Sequence, residues 1–172
     1  MKIELRSLNK GDSWEIVNLL NNKKIWDNLR DCIPNLYTLN DADLFIDSVL
    51  QESSKSKSFA IIKDYSELCG LISLERQDDI HRMTAELGYW IGEPFWGNGI
   101  VTKVINLITD YGFSEMKLER IFAGVFDFNK PSMKALEKNG YKLEGVFRNA
   151  IVKNDIIRDE YIYAELKSCH NI

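Results

Sequence analysis

Two histidines and three cysteines are all the imidazoles and thiols this 172-residue chain carries. Cys32, Cys69 and Cys169 are odd in number and far apart, so neither a disulfide framework nor a CxxC redox or zinc motif is supported. His81 and His170 are isolated, and no metal site is expected. Long hydrophobic runs are missing as well. Stretches such as residues 14–20 and 59–62 fall far below the roughly 20 apolar residues of a membrane span. The opening Met1-Lys2-Ile3-Glu4-Leu5-Arg6 lacks the apolar segment of a signal peptide. The expectation is a cytoplasmic protein with no membrane partner. An excess of positive charge is also absent. A formal net charge of −4 argues against nucleic acid, whose binders cluster Lys and Arg. A phosphate-bearing ligand would have to be held mainly by backbone geometry, with few lysines helping.

What remains is ordinary for a soluble globular domain: 45% hydrophobic and 28% charged residues, enough for a sizeable core. Repeats, low-complexity tracts and linkers are lacking, and one domain over residues 1–172 is expected.

Periodicity orders the elements. Ile3-Glu4-Leu5-Arg6 alternates as a first strand, and Asp12 or Ser13 offers an N-cap to a helix through Trp14, Val17 and Leu20, ending near Asn21. Residues 24–38 keep no single period, and Pro34 bars regular helix there. Asn40-Asp41 opens a second helix with Ala42, Phe45, Ile46, Val49 and Leu50 at helical spacing, and residues 53–58 form its polar exit. Residues 59–62 and 69–74 read as a hairpin around the turn 63–67, joined by a third strand over 83–91. Val101, Val104, Ile105, Ile108 and Tyr111 restore helical spacing, with Gly112 placed to stop that helix. A strand over 121–125 precedes a short helix opened by Asn129 and Pro131 and stopped at Gly140. Residues 141–152 and 156–166 form a last hairpin turning at Lys153-Asn154-Asp155. The order is strand, two helices, three strands, helix, strand, helix, two strands: an α+β chain.

The densest signal is Trp90-Ile91-Gly92-Glu93-Pro94-Phe95-Trp96-Gly97-Asn98-Gly99-Ile100-Val101-Thr102, where a strand pattern breaks into a glycine-bracketed turn and restarts as a helix. Gly97 and Gly99 let consecutive amides converge on one oxyanion, and the helix that follows adds its positive dipole end. An ordinary loop turn is the bland alternative. Other phosphate motifs fit worse. A Walker loop needs four residues between glycine and Gly-Lys-Ser/Thr, and a Rossmann fingerprint needs a third glycine where Thr102 stands.

On Gly88-Tyr89-Trp90-Ile91-Gly92 through Gly99, and on Asn129-Lys130-Pro131-Ser132 continuing through Leu136-Glu137-Lys138-Asn139-Gly140-Tyr141, the chain resembles the GNAT acetyltransferases. It is similar in particular to their RimJ/RimL branch of ribosomal-protein N-terminal acetyltransferases. The resemblance implies a mixed, mostly antiparallel sheet of about seven strands flanked by about four helices and splayed between the fourth and fifth strands. It implies acetyl-CoA as cosubstrate, contacted by Tyr89, Trp90, Ile91, Trp96, Gly97, Asn98, Gly99, Ile100, Val101, Thr102, Asn129 and Ser132. Trp26 to Tyr37 and Arg158-Asp159-Glu160-Tyr161 also look familiar for this branch. There are departures. Trp96 and Val101 stand at the ends of a loop where the family usually has Gln or Arg and then Gly or Ala. Leu136 stands where many members put a proton-donating tyrosine.

Acetyl transfer to an amine needs a base, because an alkylamine near pKa 10 is only about one part in a thousand neutral at pH 7. It needs an N–H donor for the oxyanion, and a proton donor helps the departing thiolate. Glu86, on the strand before the loop, is the candidate base. Its other reading is a solvent-facing carboxylate paired with Arg82, Arg76 or Lys117, and Glu93 is its competitor. Ser132 is the candidate donor by resemblance, or else a first-turn hydroxyl bonded to backbone. Asn129 suits both an N-cap and a cofactor contact. Lys103 and Lys134 are placed to meet cofactor phosphates or to stand idle on the surface.

For the acceptor, Trp26, Arg30, Asp31 and Tyr37 mix aromatic and charged groups in an irregular segment that suits a wall receiving a cationic amine. Trp26, Leu29 and Tyr37 equally suit core cover. The expected activity is direct acetyl transfer, with no metal and no acyl-enzyme, to a protein or peptide N-terminal amine. A small amine such as a polyamine, aminoglycoside or amino acid is the alternative acceptor, and a CoA-binding regulator without catalysis is the alternative function. Ile156, Ile157, Tyr161 and Tyr163 make the last hairpin a candidate homodimer face or simply the end of the core.

Overall fold

The structure, a computed structural model, describes residues 1–51 and 54–170. Seven strands are hydrogen-bonded in the order β1-β2-β3-β4-β5-β7-β6. They are β1 (Ile3–Ser7), β2 (Ser56–Lys63), β3 (Glu67–Arg76), β4 (Thr84–Ile91), β5 (Arg120–Phe126), β6 (Lys142–Lys153) and β7 (Ile156–Leu166). The helices are α1 (Ser13–Leu20), the single turn α2 (Lys23–Trp26), α3 (Leu39–Leu50), α4 (Ile100–Ser114) and α5 (Lys130–Lys138). The expected element order holds, with α2 added. The chain divides into two compact units: Met1–Ser73 with Tyr89–Ile100, and Leu74–Gly88 with the chain from Val101 onward.

In the first unit β1 runs antiparallel to β2, from Ile3↔Lys63 to Ser7↔Phe59. Asp12 holds the expected N-cap position of α1 but makes no side-chain cap bond there; its carboxylate instead accepts from the Asn9 N–H and closes a capping box on the preceding 3-10 turn over Lys10–Asp12. The same carboxylate accepts from Arg6 at both of its oxygens, at 2.8 and 2.6 Å. The second helix begins at Leu39 because the Thr38 hydroxyl caps it, with Asp41 completing the box. Ile16 of α1, Ala42 and Ile46 of α3 and Ala60 and Ile62 of β2 meet in one buried cluster. Spacing of four along α3 and of two along β2 puts each pair on the face that packs. Strand β2 starts at Ser56, inside the expected polar exit, and Ser53 lies outside the described residues.

In the second unit β5 lies between β4 and β7, parallel to the first and antiparallel to the second. Val104, Ile105 and Ile108 of α4 are fully buried. Gly112 does not stop α4, which continues to Ser114. It is helical, and a Cβ there would lie 2.7 Å from Ile121 Cδ1 and 2.8 Å from Leu74 Cδ1. Its smallness serves close packing. The last hairpin turns on Asn154 and Asp155, both with positive φ, the backbone of a two-residue primed turn whose twist matches the strands. Edge strand β6 is irregular: its pairing with β7 slips between Leu143 and Gly145 and between Phe147 and Ile151, and Asn149 in the second gap has φ +53°.

Candidate functional site

The glycine turn belongs to the first unit. After β4 the chain makes a 3-10 turn over Glu93–Phe95, then passes Trp96, Gly97, Asn98 and Gly99 into the first residue of α4. Gly97 has φ +78° and Gly99 φ +71°, and nothing lies within 4 Å of where a Cβ would sit on either. Both conformations favour glycine, and the space above them is open to a ligand. The turn is braced from inside. Trp96 Nε1 donates to the Ile91 carbonyl at 2.8 Å, and Asn98 Nδ2 donates to the carbonyls of Phe95 and Trp96, each at 3.3 Å. Helix α4 opens at Ile100, so its first amides have no carbonyl one turn back and face the turn as donors. These residues fit a diphosphate.

Ile91 and Ile100 are buried, Tyr89, Trp90, Val101 and Thr102 half-buried, and Lys103 and Lys134 exposed. Trp90 packs against the first unit's core. Glu93 is held by Lys24 and by Asn22, whose Nδ2 donates at 2.7 Å. The Lys24 and Asn22 hydrogen bonds draw its carboxyl below the usual range, making it a weaker base than an ordinary glutamate.

Of the expected acceptor residues, Arg30 and Asp31 are exposed and Trp26 is half-buried, with Nε1 donating to the Ile33 carbonyl at 2.9 Å. Tyr37 is 9% exposed and sits in the core cluster. Asn21 clamps its backbone at both N–H and C=O. Burial and the charge of Asp41 push its phenol up to about 12.

The candidate catalytic groups lie in the second unit. Glu86 is half-buried between buried Ala85 and Leu87, so it faces away from them. The β4–β5 ladder registers Thr84↔Arg120, Ala85↔Ile121 and Glu86↔Phe122, while the strands run on to Ile91 and Phe126. Pairing places Glu86 on the face shared by Phe122, Gly124 and Phe126, opposite buried Ile121, Ala123 and Val125. Two suggested partners are engaged with carbonyls. Arg76 donates to those of Arg82 and Met116, and Arg82 to that of Asp79. At α5, Asn129 Oδ1 accepts from the Ser132 N–H at 3.2 Å, and Leu136 is fully buried one turn beyond Ser132.

Burial, more than any other cause, raises the Cys69 thiol to about 11. It is a poor nucleophile at neutral pH. Among the described residues no three His, Cys, Asp or Glu side chains gather as a metal site, and no helix is long and apolar enough to cross a membrane.

The family profile described as "Acetyltransferase (GNAT) domain" matches residues 2–142. The chain belongs to the GNAT acetyltransferase family. This is an acyltransferase family, and its RimJ-like branch is supported by a relative named ribosomal-protein-serine acetyltransferase, from Escherichia coli K12. That relative is 30% identical over 118 residues, 69% of this chain and 65% of its own length. The probable N-acetyltransferase YjcK of Bacillus subtilis is 38% identical over 99 residues, 58% of this chain. The match spans 55% of that relative's length. A solved spermidine N-acetyltransferase from Vibrio cholerae, in complex with CoA and spermine, superposes with a TM-score of 0.84. It has 25% identity, and the match covers 97% of this chain and 96% of the other.

Proposed function

We propose that this chain is a cytoplasmic N-acetyltransferase, a single N-acetyltransferase domain over residues 1–172, which moves the acetyl group of acetyl-CoA directly to the N-terminal amine of a protein or peptide. The observation that carries the reading is the braced turn with Gly97 and Gly99 at positive φ, open above, in a GNAT chain. The amides of residues 97–102 would hold the diphosphate, and Tyr89, Trp90, Ile91, Asn129 and Ser132 would position the rest of the cosubstrate. The cosubstrate supplies an activated acyl group on a thiol leaving group. In this reading Glu86 takes the proton of the acceptor ammonium, directly or through water, and Ser132 donates to the departing thiolate. Arg30 and Asp31, with Trp26, would receive the acceptor. Of the four residues expected there, Tyr37 has the least support, because its ring lies in the core.

Calorimetric titration with CoA tests the cradle. Thiol release with peptides beginning in Ser, Ala or Met, beside polyamines, tests the acceptor. Peptide turnover at least about tenfold more efficient than polyamine turnover supports the reading. Absence of CoA binding removes it, and tight binding without turnover on any amine marks a regulator instead. The likeness to the Vibrio cholerae enzyme, solved with spermine, favours a small amine as the second reading, and the same panel separates the two.

A further inference from the structure

In the second unit, pairing between β4 and β5 stops at Glu86↔Phe122, although both strands run on. Side chains alternate along a strand, so the next residues on the face of Glu86 are Gly88 of β4 and Gly124 of β5. Neither brings a side chain to that step. Gly124 lies between Phe122 and Phe126 on its strand, and the place of its missing side chain is taken by Glu160 of β7. Glu160 pairs with Phe126 and leans two residues back along β5. A Cβ on Gly124 would collide with Glu160 Oε1 and lie 3.1 Å from its Cδ and 3.6 Å from its Cγ. A glycine inside a strand often marks such a close approach. Arg158, two residues from Glu160 on the same face, leans the opposite way, with its guanidinium over the Phe128 ring at 5.1 Å. Glu86, Phe122, Phe126 and Glu160 are all half-buried and Gly88 is exposed, so a ligand can reach this face.

We propose that Glu160, laid over Gly124, anchors the reacting ammonium of the acceptor beside Glu86, an inference that rests on the acetyl-transfer reading above. Gly124 is the diagonal neighbour of Glu86 across the two strands, a separation of about 7–8 Å that two glutamate side chains can bridge through one bound nitrogen. One N–H of the ammonium donates to Glu160, which keeps its charge throughout. The nitrogen loses two protons on its way to the amide: one goes to Glu86, and the other leaves with the thiol as the N–C bond forms and the C–S bond breaks. Phe122 and Phe126 flank the anchor, and aromatic rings beside a cation add attraction. Two carboxylates bind an ammonium well and also hold its proton harder, so the anchor acts on KM. It admits a peptide N-terminus or a polyamine and disfavours hydroxyl acceptors, which bring no charge.

The test uses the full chain with acetyl-CoA and follows thiol release on two amine probes, a tripeptide amide beginning with Ser and spermidine. On whichever probe turns over faster, Glu160→Gln raises KM by about tenfold or more, the loss expected for a hydrogen bond to a charged group, with a smaller change in kcat. Gly124→Ala keeps the carboxylate in the chain but drives it from its place, so it raises KM in the same direction. Combined with Glu160→Gln it raises KM no further, because both changes remove one interaction. CoA affinity by calorimetry stays at the wild-type value in all three variants, and a fall there would trace the KM change to distortion and overturn the proposal. An unaltered KM in Glu160→Gln overturns it, as does a Gly124→Ala effect that adds in full to that of Glu160→Gln. The two failures are distinguishable. Wild-type turnover with an unaltered KM in Glu160→Gln sinks the anchor alone, whereas CoA left unbound, or bound without turnover on either probe, sinks the acetyl-transfer reading and the anchor with it.

Discussion

The indole N–H of Trp96 donates to the carbonyl of Ile91 at 2.8 Å and so ties the residue before Gly97 to the last residue of β4. The strand end and the glycine turn cannot drift apart while that bond holds. Trp96 is nonetheless 44% exposed, so its ring adds little to the core and its N–H carries most of its structural role.

Replacing Trp96 by Phe deletes that donor and keeps most of the ring. The expected cost is about 1 kcal/mol of stability, read as a shift in urea midpoint with unchanged slope, together with weaker CoA binding by calorimetry. An unchanged CoA affinity would show that the brace does not shape the cradle.

Gly99→Val places a β-branched side chain at φ +71° in open space, so the penalty is backbone strain without a clash. About 1–2 kcal/mol is expected from that strain. CoA affinity should fall by a larger factor than the stability loss implies, since the side chain would also occupy the ligand's space. Thermal denaturation and CoA titration on the same preparation make the comparison.

Asp12 and Arg6 supply a pH-dependent element of the first unit. Burial raises the Asp12 carboxyl, but the Arg6 hydrogen bonds, the Asn9 amide and the Arg6 charge outweigh it, leaving it below its usual 3.8. A depressed carboxyl contributes stability above its unfolded value and loses it as pH falls through the folded one. Arg6→Met strands a carboxylate whose side chain is 7% exposed, at a cost of about 3 kcal/mol near neutrality. The deficit should shrink as the pH drops toward 4 and Asp12 protonates. A deficit that stays constant between pH 7 and pH 4 would contradict the assignment.

With the Cys69 thiol raised to about 11 by burial, alkylation at pH 8 should label exposed Cys32 and Cys169 and spare Cys69. A variant with Cys32→Ser, Cys69→Ala and Cys169→Ser should keep its turnover. Its abolition would point to an acyl-enzyme.

The glycine turn could be read from the chain because positive φ at Gly97 and Gly99 is a local demand with a local signature. Asn129 as an N-cap followed by Pro131 was legible for the same reason. Gly112 was not, since a glycine that ends a helix and one that admits a neighbour look alike until Ile121 and Leu74 are brought against it. The single turn α2 is too short to display a period. The hold of Asn22 and Lys24 on Glu93 spans about seventy residues and has no local trace.

The break in β6 around Asn149 interrupts the exposed outer edge of the sheet. An unbroken outer strand showing Leu143, Phe147 and Val152 would invite another chain to extend the sheet without limit. The two register slips cut that edge into short runs, each too brief to template fibril growth. An outer edge interrupted in this way is a poor template for open-ended extension of the sheet by further chains.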